Sequence, residues 1–418
     1  MQHGTSTHAD GFDDETAPLS DGVVRFTRKH VFSTKNNPLC GIVFSKWAHL
    51  LFDNFQYVEM MYYPRLIFIT LLSIFNSLLA VVELFLFHEQ ISKVELPDDP
   101  VFIIGHPRTG TTLLHNLISS DSDNFFYCTT FCAGFPFSFI WFERIGKMLF
   151  SGILDPTRPM DSMPLHFDLP QEDELATCLL SGGMSYYMPI WFMQQEPLFR
   201  RYLDFSPSDG AHPDDESKWS DAFLYLMKKL CLRHQMLKRT SDYKSQRLLL
   251  KSPVHTARVP LLRRLFPRAK FVYIHRAPEQ VFLSAVHMAD TTYWYCYMNT
   301  PTNEQVMEYI LWQFEHMWRK YDAAATLNTT DRALETSRSI QPDILEVSYA
   351  SLVQDSVRTL KLVYEHIGVD WTETLHEHFA LEHEALKRYE PNKHVAMSAS
   401  LTSLIRKRWS DYCNTYGY

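Results

Sequence analysis

The stretch Val101-Phe-Ile-Ile-Gly-His-Pro-Arg-Thr-Gly-Thr-Thr-Leu-Leu114 constrains the fold of this chain more than any other. Four apolar residues, Val101–Ile104, read as a buried strand that runs into Gly105. A tight loop follows, and Gly110-Thr111-Thr112 opens a helix. Backbone N–H groups in such a loop, with the positive end of the helix behind them, converge on an anion. The glycine spacing is that of the nucleotide loop GxxxxGK(S/T), but Thr111 stands in the lysine position. Without that lysine an ATPase loses its grip on the β/γ-phosphates. Arg108 supplies a cation at a different place in the loop. Gly105, Arg108, Thr109, Gly110, Thr111 and Thr112 are therefore candidate phosphate-binding residues, with different chemistry at the transferred group.

Further short apolar runs follow at Leu248–Leu250 and Phe271–Ile274, and Ile344–Val347 reads as another strand, with helical patterns between them. Continuous apolar strands with helical crossovers predict an α/β fold of three layers, P-loop-type, around a central parallel sheet. We expect one large domain over 99–418 with a helical insertion between about 125 and 245. Residues 23–98 read as a helical region, and the polar, acidic residues 1–22 as a disordered tail without the apolar core of a signal peptide. The chain has 418 residues with 46% hydrophobic and 21% charged, ample for a core. Its formal net charge of -8 argues against nucleic-acid binding, which needs broad positive surface. Seven cysteines with no CxxC pair read as free thiols in a reducing compartment, with no metal-ligand spacing.

Leu66–Phe87 is the strongest membrane signal, just long enough to span about 30 Å of hydrocarbon. Ser73, Asn76, Ser77 and Glu83 nevertheless gather on one helical face. Three readings stand: a helix packed on the domain, an interfacial helix, and a true span. The expected location is cytoplasmic with peripheral membrane contact through 66–87, and a single-pass protein is the alternative.

A second anion site is suggested by Phe271-Val-Tyr-Ile-His-Arg276, followed by Pro278 and Ser284. Arg276 ends a strand, where ligands of open α/β sheets bind, and a guanidinium with a hydroxyl suits a terminal phosphate monoester. The two sites together resemble the sulfotransferases that use 3'-phosphoadenosine 5'-phosphosulfate (PAPS). The segment from Arg158-Pro-Met-Asp161 to Pro170-Gln-Glu-Asp-Glu174 resembles bacterial-type members, nearer to tyrosylprotein sulfotransferases than to the cytosolic aryl and steroid enzymes. The resemblance covers about residues 100–412. It implies that the first loop cradles the 5'-phosphosulfate and that Arg276 and Ser284 hold the 3'-phosphate. It also implies a catalytic role for Lys251, in Leu250-Lys-Ser-Pro253, and a place in the nucleotide pocket for Tyr349 and Lys393.

Sulfuryl transfer, like phosphoryl transfer, rests on positioning and on cations at the departing oxygen. Arg108 is the first candidate for that cation and Lys251 the second. The acceptor hydroxyl needs a base. The acidic cluster Glu172-Asp173-Glu174 is its expected source, with Glu172 before Glu174 and with His255 and His166 as alternatives. Aromatic clusters such as Phe139-Ile-Trp-Phe142, Tyr186-Tyr187 and Thr291–Tyr297 suit either a core or a pocket for a sterol, lipid or phenol. The expected activity is transfer to a hydroxyl of a small, apolar acceptor. A small-molecule kinase using ATP and magnesium, or a non-catalytic membrane-associated nucleotide-binding protein, would share the loop. The missing loop lysine and the lack of a magnesium-binding Asp at a strand end weigh against the kinase.

Overall fold

The computed structural model describes residues 24–26, 33, 37–150, 152, 156–158, 160–161, 163–238, 246–334 (backbone alone for 327–334), 343–387 and 397–418. The 1–22 tail and Lys393 lie outside these. Among the described residues five strands form one sheet: β1 (Val101–Ile104), β2 (Phe125–Tyr127), β3 (Arg247–Lys251), β4 (Lys270–His275) and β5 (Ile344–Ser348). All neighbours are parallel and the order is β2-β3-β1-β4-β5. This is the expected α/β architecture. The sheet has one strand that sequence reading placed inside the insertion. β2 is a three-residue edge strand, too short for its aromatic run to show a strand period.

Alternation along the strands gives each sheet face its own core. Phe102, Ile104, Leu250, Phe271 and Tyr273 point into one, with Trp219 and Phe223 of the helix Asp215–Lys238. Val101, Ile103, Leu249, Val272 and Ile274 point into the other, with helices Thr111–Ser119 and Ser356–Ile367. The latter shows how local rules set bounds. Asp355 accepts from the Arg358 N–H at 2.9 Å at its start, and Gly368 ends it at φ 73°. β1 lies between β3 and β4: the chain leaves β1 toward β2 on the β3 side, and the later connection from β3 to β4 skips past β1 to the other side. The crevice beyond the carboxyl ends of these three strands is where such sheets bind ligands.

The N-terminal region shares the larger core: Leu39, Ile42 and Trp47 pack in one cluster with Phe131 and Trp191. Its helix Tyr63–Lys93 turns its polar side inward. Arg65 donates to the carbonyls of Tyr297 and, at 3.0 Å, Trp294. Asn76 donates to those of Cys40 and Ile42 at 2.7 and 3.1 Å. Buried Glu83 pairs with buried Lys229 and accepts from the Ile140 N–H at 2.8 Å. Polar side chains with such partners are tolerated inside a fold. The gathered polar face thus belongs to a helix packed against the domain.

Candidate active site

The loop after β1 is shaped by backbone that only small residues allow. A Cβ at Gly105 (φ 147°) would stand 2.6 Å from the Ile274 carbonyl oxygen, and one at Gly110 (φ 105°) 2.4 Å from the Tyr349 ring. Thr256 Oγ1 accepts from the Gly105 N–H at 2.7 Å, and Thr109 Oγ1 donates to the His106 carbonyl at 2.8 Å. Arg108 itself has φ 75°, a left-handed conformation uncommon for a side chain of its kind. The helix Thr111–Ser119 begins at Gly110 with no side-chain cap. Its opening N–H groups face the loop rather than a capping oxygen, which suits an anion.

Two groups of side chains flank this loop. On one side, Arg108 Nε donates to Ser284 Oγ at 3.0 Å and Nη1 meets Asp161 Oδ2 at 3.1 Å. Arg276 Nη1 donates to the Arg108 carbonyl at 3.2 Å, and its guanidinium lies 4.2 Å from the Tyr349 ring centre. Tyr412 fixes the Arg276 backbone from both sides, accepting from its N–H at 2.9 Å and donating to its carbonyl at 2.7 Å. Arg108 and Tyr349, far in sequence from Arg276 and Ser284, therefore share one corner with them beyond β1, β4 and β5.

On the other side stands Lys251, the last residue of β3 and 2% exposed. Its ammonium reaches Glu172 Oε1 at 2.8 Å and Thr112 Oγ1 of the loop helix at 3.4 Å. Glu172 Oε2 accepts from the hydroxyls of Tyr187 and, at 3.4 Å, Tyr186. Burial pulls the Lys251 pKa below the ordinary lysine range, against the opposing pull of Glu172. Burial, and then the Glu172 charge, pushes the Tyr187 phenol well above its usual value, so it stays a donor. Tyr186 and Tyr187 were legible only as an aromatic pair; nothing in their spacing tied them to Glu172.

Geometry separates the three acids at 172–174. Glu172 stands at the N-cap position of the helix Asp173–Ser181, where its side chain makes no capping bond. Asp173 is fully buried and Oδ1 takes Ser252 Oγ at 3.1 Å and His255 Nε2 at 2.6 Å. Glu174 is equally buried, with Arg258 Nη1 at 2.9 Å, Trp219 Nε1 at 3.1 Å and Ser185 Oγ at 2.7 Å. Its oxygens are committed to the scaffold, which removes it from reach of an acceptor. His255 is bound to Asp173 in the same interior, and His166 lies on the surface. The Arg108 guanidinium turns to Ser284 and Asp161, and the Lys251 ammonium meets the loop helix at Thr112.

Residues 100–373, which carry both groups, match the model of a sulfotransferase family. The chain belongs to the sulfotransferase family. It is an enzyme that moves a sulfuryl group. A sulfotransferase relative, the omega-hydroxy-beta-dihydromenaquinone-9 sulfotransferase Stf3 of Mycobacterium bovis, is 27% identical over 385 residues, covering 90% of each chain. Among solved structures, sulfotransferase STF1 of Mycobacterium tuberculosis superposes with a TM-score of 0.56 at 14% identity. That match covers 88% of this chain and 92% of that one. STF9 of Mycobacterium avium follows at 0.54 and 15% identity, over 81% of both. The fold of this sulfotransferase is thus a known one.

Proposed function

We propose that this sulfotransferase moves the sulfuryl group of PAPS to the hydroxyl of a lipid-like apolar alcohol, with Lys251 and Glu172 as its catalytic residues. The observation that supports this most is the single Lys251 ammonium bridging the loop helix and Glu172. In the reaction, the acceptor oxygen forms a new S–O bond as its proton passes to Glu172. The S–O bond to the 5'-phosphate breaks, and its electron pair stays on the phosphate oxygen. Lys251 donates to that oxygen as negative charge grows there, inside a site too buried for water to screen it. Tyr187 and Tyr186 hold the Glu172 carboxylate in place.

The other corner suits the remaining charge of the donor. Arg276, Ser284 and Arg108 offer two guanidinium groups and a hydroxyl to a 3'-phosphate. The close packing of Gly105 on Ile274 and of Gly110 on Tyr349 sets the shape of the loop whose backbone N–H groups suit the 5'-phosphosulfate. The apolar alcohol is supported by likeness to a relative named for a hydroxylated menaquinone and by the aromatic surroundings of Glu172.

A thermal-shift titration tests the donor. A ligand of the native state raises the melting temperature as RT ln(1 + [L]/Kd). 3',5'-adenosine bisphosphate is expected to stabilise the protein without magnesium, and ATP to do so weakly. Stabilisation by ATP with magnesium alone would remove the PAPS reading. Labelled PAPS with an ω-hydroxylated isoprenoid quinone, a sterol and a simple phenol then ranks acceptors, and preference for the phenol would overturn the lipid assignment.

A further inference from the structure

The helix Tyr63–Lys93 is amphipathic in the opposite sense to an ordinary surface helix. Its polar residues Arg65, Ser73, Asn76 and Glu83 are buried against the protein, and its apolar side faces out. Every exposed residue between 66 and 87 is apolar, from Ile67 through Leu71, Ile74 and Leu78 (65% exposed) to Phe85 (87%). The half-buried Thr70 and Ser77 already serve Trp47 Nε1 and the Phe44 N–H, each at 2.8 Å. Polar exposure returns abruptly at His88, Glu89 and Gln90.

The apolar face does not stop at this helix. Trp47 joins it to the helix Phe44–Asn54, in which Phe52 is 85% exposed. Trp141 Nε1, donating to the Leu79 carbonyl at 3.1 Å, joins it to the helix Phe139–Phe150, where Met148 is 72% exposed and Leu149 also lies outside. Contiguous apolar patches of this kind mark an interaction site.

We infer that this three-helix face rests in one leaflet of a phospholipid bilayer, with the helix Tyr63–Lys93 lying in the plane of the interface. A protein partner is disfavoured because protein interfaces carry about one hydrogen bond per 100–200 Å², and 66–87 exposes no side chain able to make one. Acyl chains ask for none. A crossing is disfavoured because the helix is bonded to one body along its length, at Arg65, Asn76 and Glu83. The chain before it, at Leu39 and Ile42, and the strand after it, β1, enter the same core. At about 1.5 Å per residue its 31 residues form a strip some 46 Å long. Such helices sink about 5–10 Å into the boundary between headgroups and acyl chains. The inference stands independently of the acceptor's identity.

Flotation of the full chain with vesicles of phosphatidylcholine, with and without phosphatidylglycerol, tests it. The protein is expected to float with both. Leu78→Glu combined with Phe85→Glu is expected to cut the floating fraction at least about tenfold, since each charge opposes insertion. The melting temperature and the affinity for 3',5'-adenosine bisphosphate should hold. If the glutamates impair folding, Leu78→Ser with Phe85→Ser should give a smaller loss on a folded protein. An impermeant maleimide added outside the vesicles should label both Pro64→Cys and His88→Cys. Failure to float, equal floating of the variants, or labelling of one end alone would overturn the inference. So would a dimer in ultracentrifugation that the same substitutions dissociate without any vesicle binding.

Discussion

The two sides of the phosphate loop are built differently. The corner holding Arg276, Ser284 and Tyr349 comes from the ends of β4 and β5 and the helices that follow them, so each residue sits within a strand–loop–helix unit. The side holding Glu172, Tyr187 and Lys251 takes its first two residues from the long excursion between β2 and β3 and joins them to a strand end. On the proposed reading the first side binds the donor and the second carries the proton and group transfer, through a network around one carboxylate in which losing a member disturbs the rest.

Substitutions sharpen that contrast. The largest effect is expected for Lys251→Ala, with kcat falling about 10³-fold while the affinity for 3',5'-adenosine bisphosphate changes little. Single-turnover rates and calorimetry separate the two, and an equal loss in both would move Lys251 to the binding side. Glu172→Gln should lower kcat about 10²-fold. Its normal turnover would reopen the search for the base. On the binding side, Arg276→Ala should weaken the bisphosphate by about 10–100-fold, the worth of a charge-assisted hydrogen bond. Unchanged affinity would sink the 3'-phosphate assignment. Tyr187→Phe removes one donor from Glu172 and should cost roughly 2–10-fold in kcat.

The pH profile gives the subtlest test. In the proposed transfer Lys251 works protonated, and burial lowers its pKa. Activity should therefore be lost as pH rises through a value below the ordinary lysine range. Lys251→Arg should move that alkaline limb upward, whatever it does to the plateau rate.

The contrast also explains what could be read in advance. The loop from Gly105 to Thr112 is contiguous, and its glycines, threonines and following helix are a local geometry that any window of sequence exposes. Arg276 and Ser284 lie on one turn-and-helix unit, so their spacing carried meaning. The choice between Glu172 and Glu174 did not follow from spacing. It depends on Arg258 and Trp219, which lie far along the chain and enclose Glu174. The direction of Arg108 likewise depends on Asp161 and Ser284. The helix at 66–87 showed its two faces in sequence, but only packing reveals that the polar one is inside.

Asp173 and Glu174 are both fully buried. They are the rivets by which the excursion between β2 and β3 is fastened to the sheet, through Ser252, His255 and Arg258. β3 itself is locked to β1, with Lys251 opposite Ile103. A chimaera that exchanges the excursion for that of another sulfotransferase, yet keeps residues 172–174 together with Ser185, Tyr186, Tyr187 and Trp219, should inherit a working transfer centre and a new choice of alcohol.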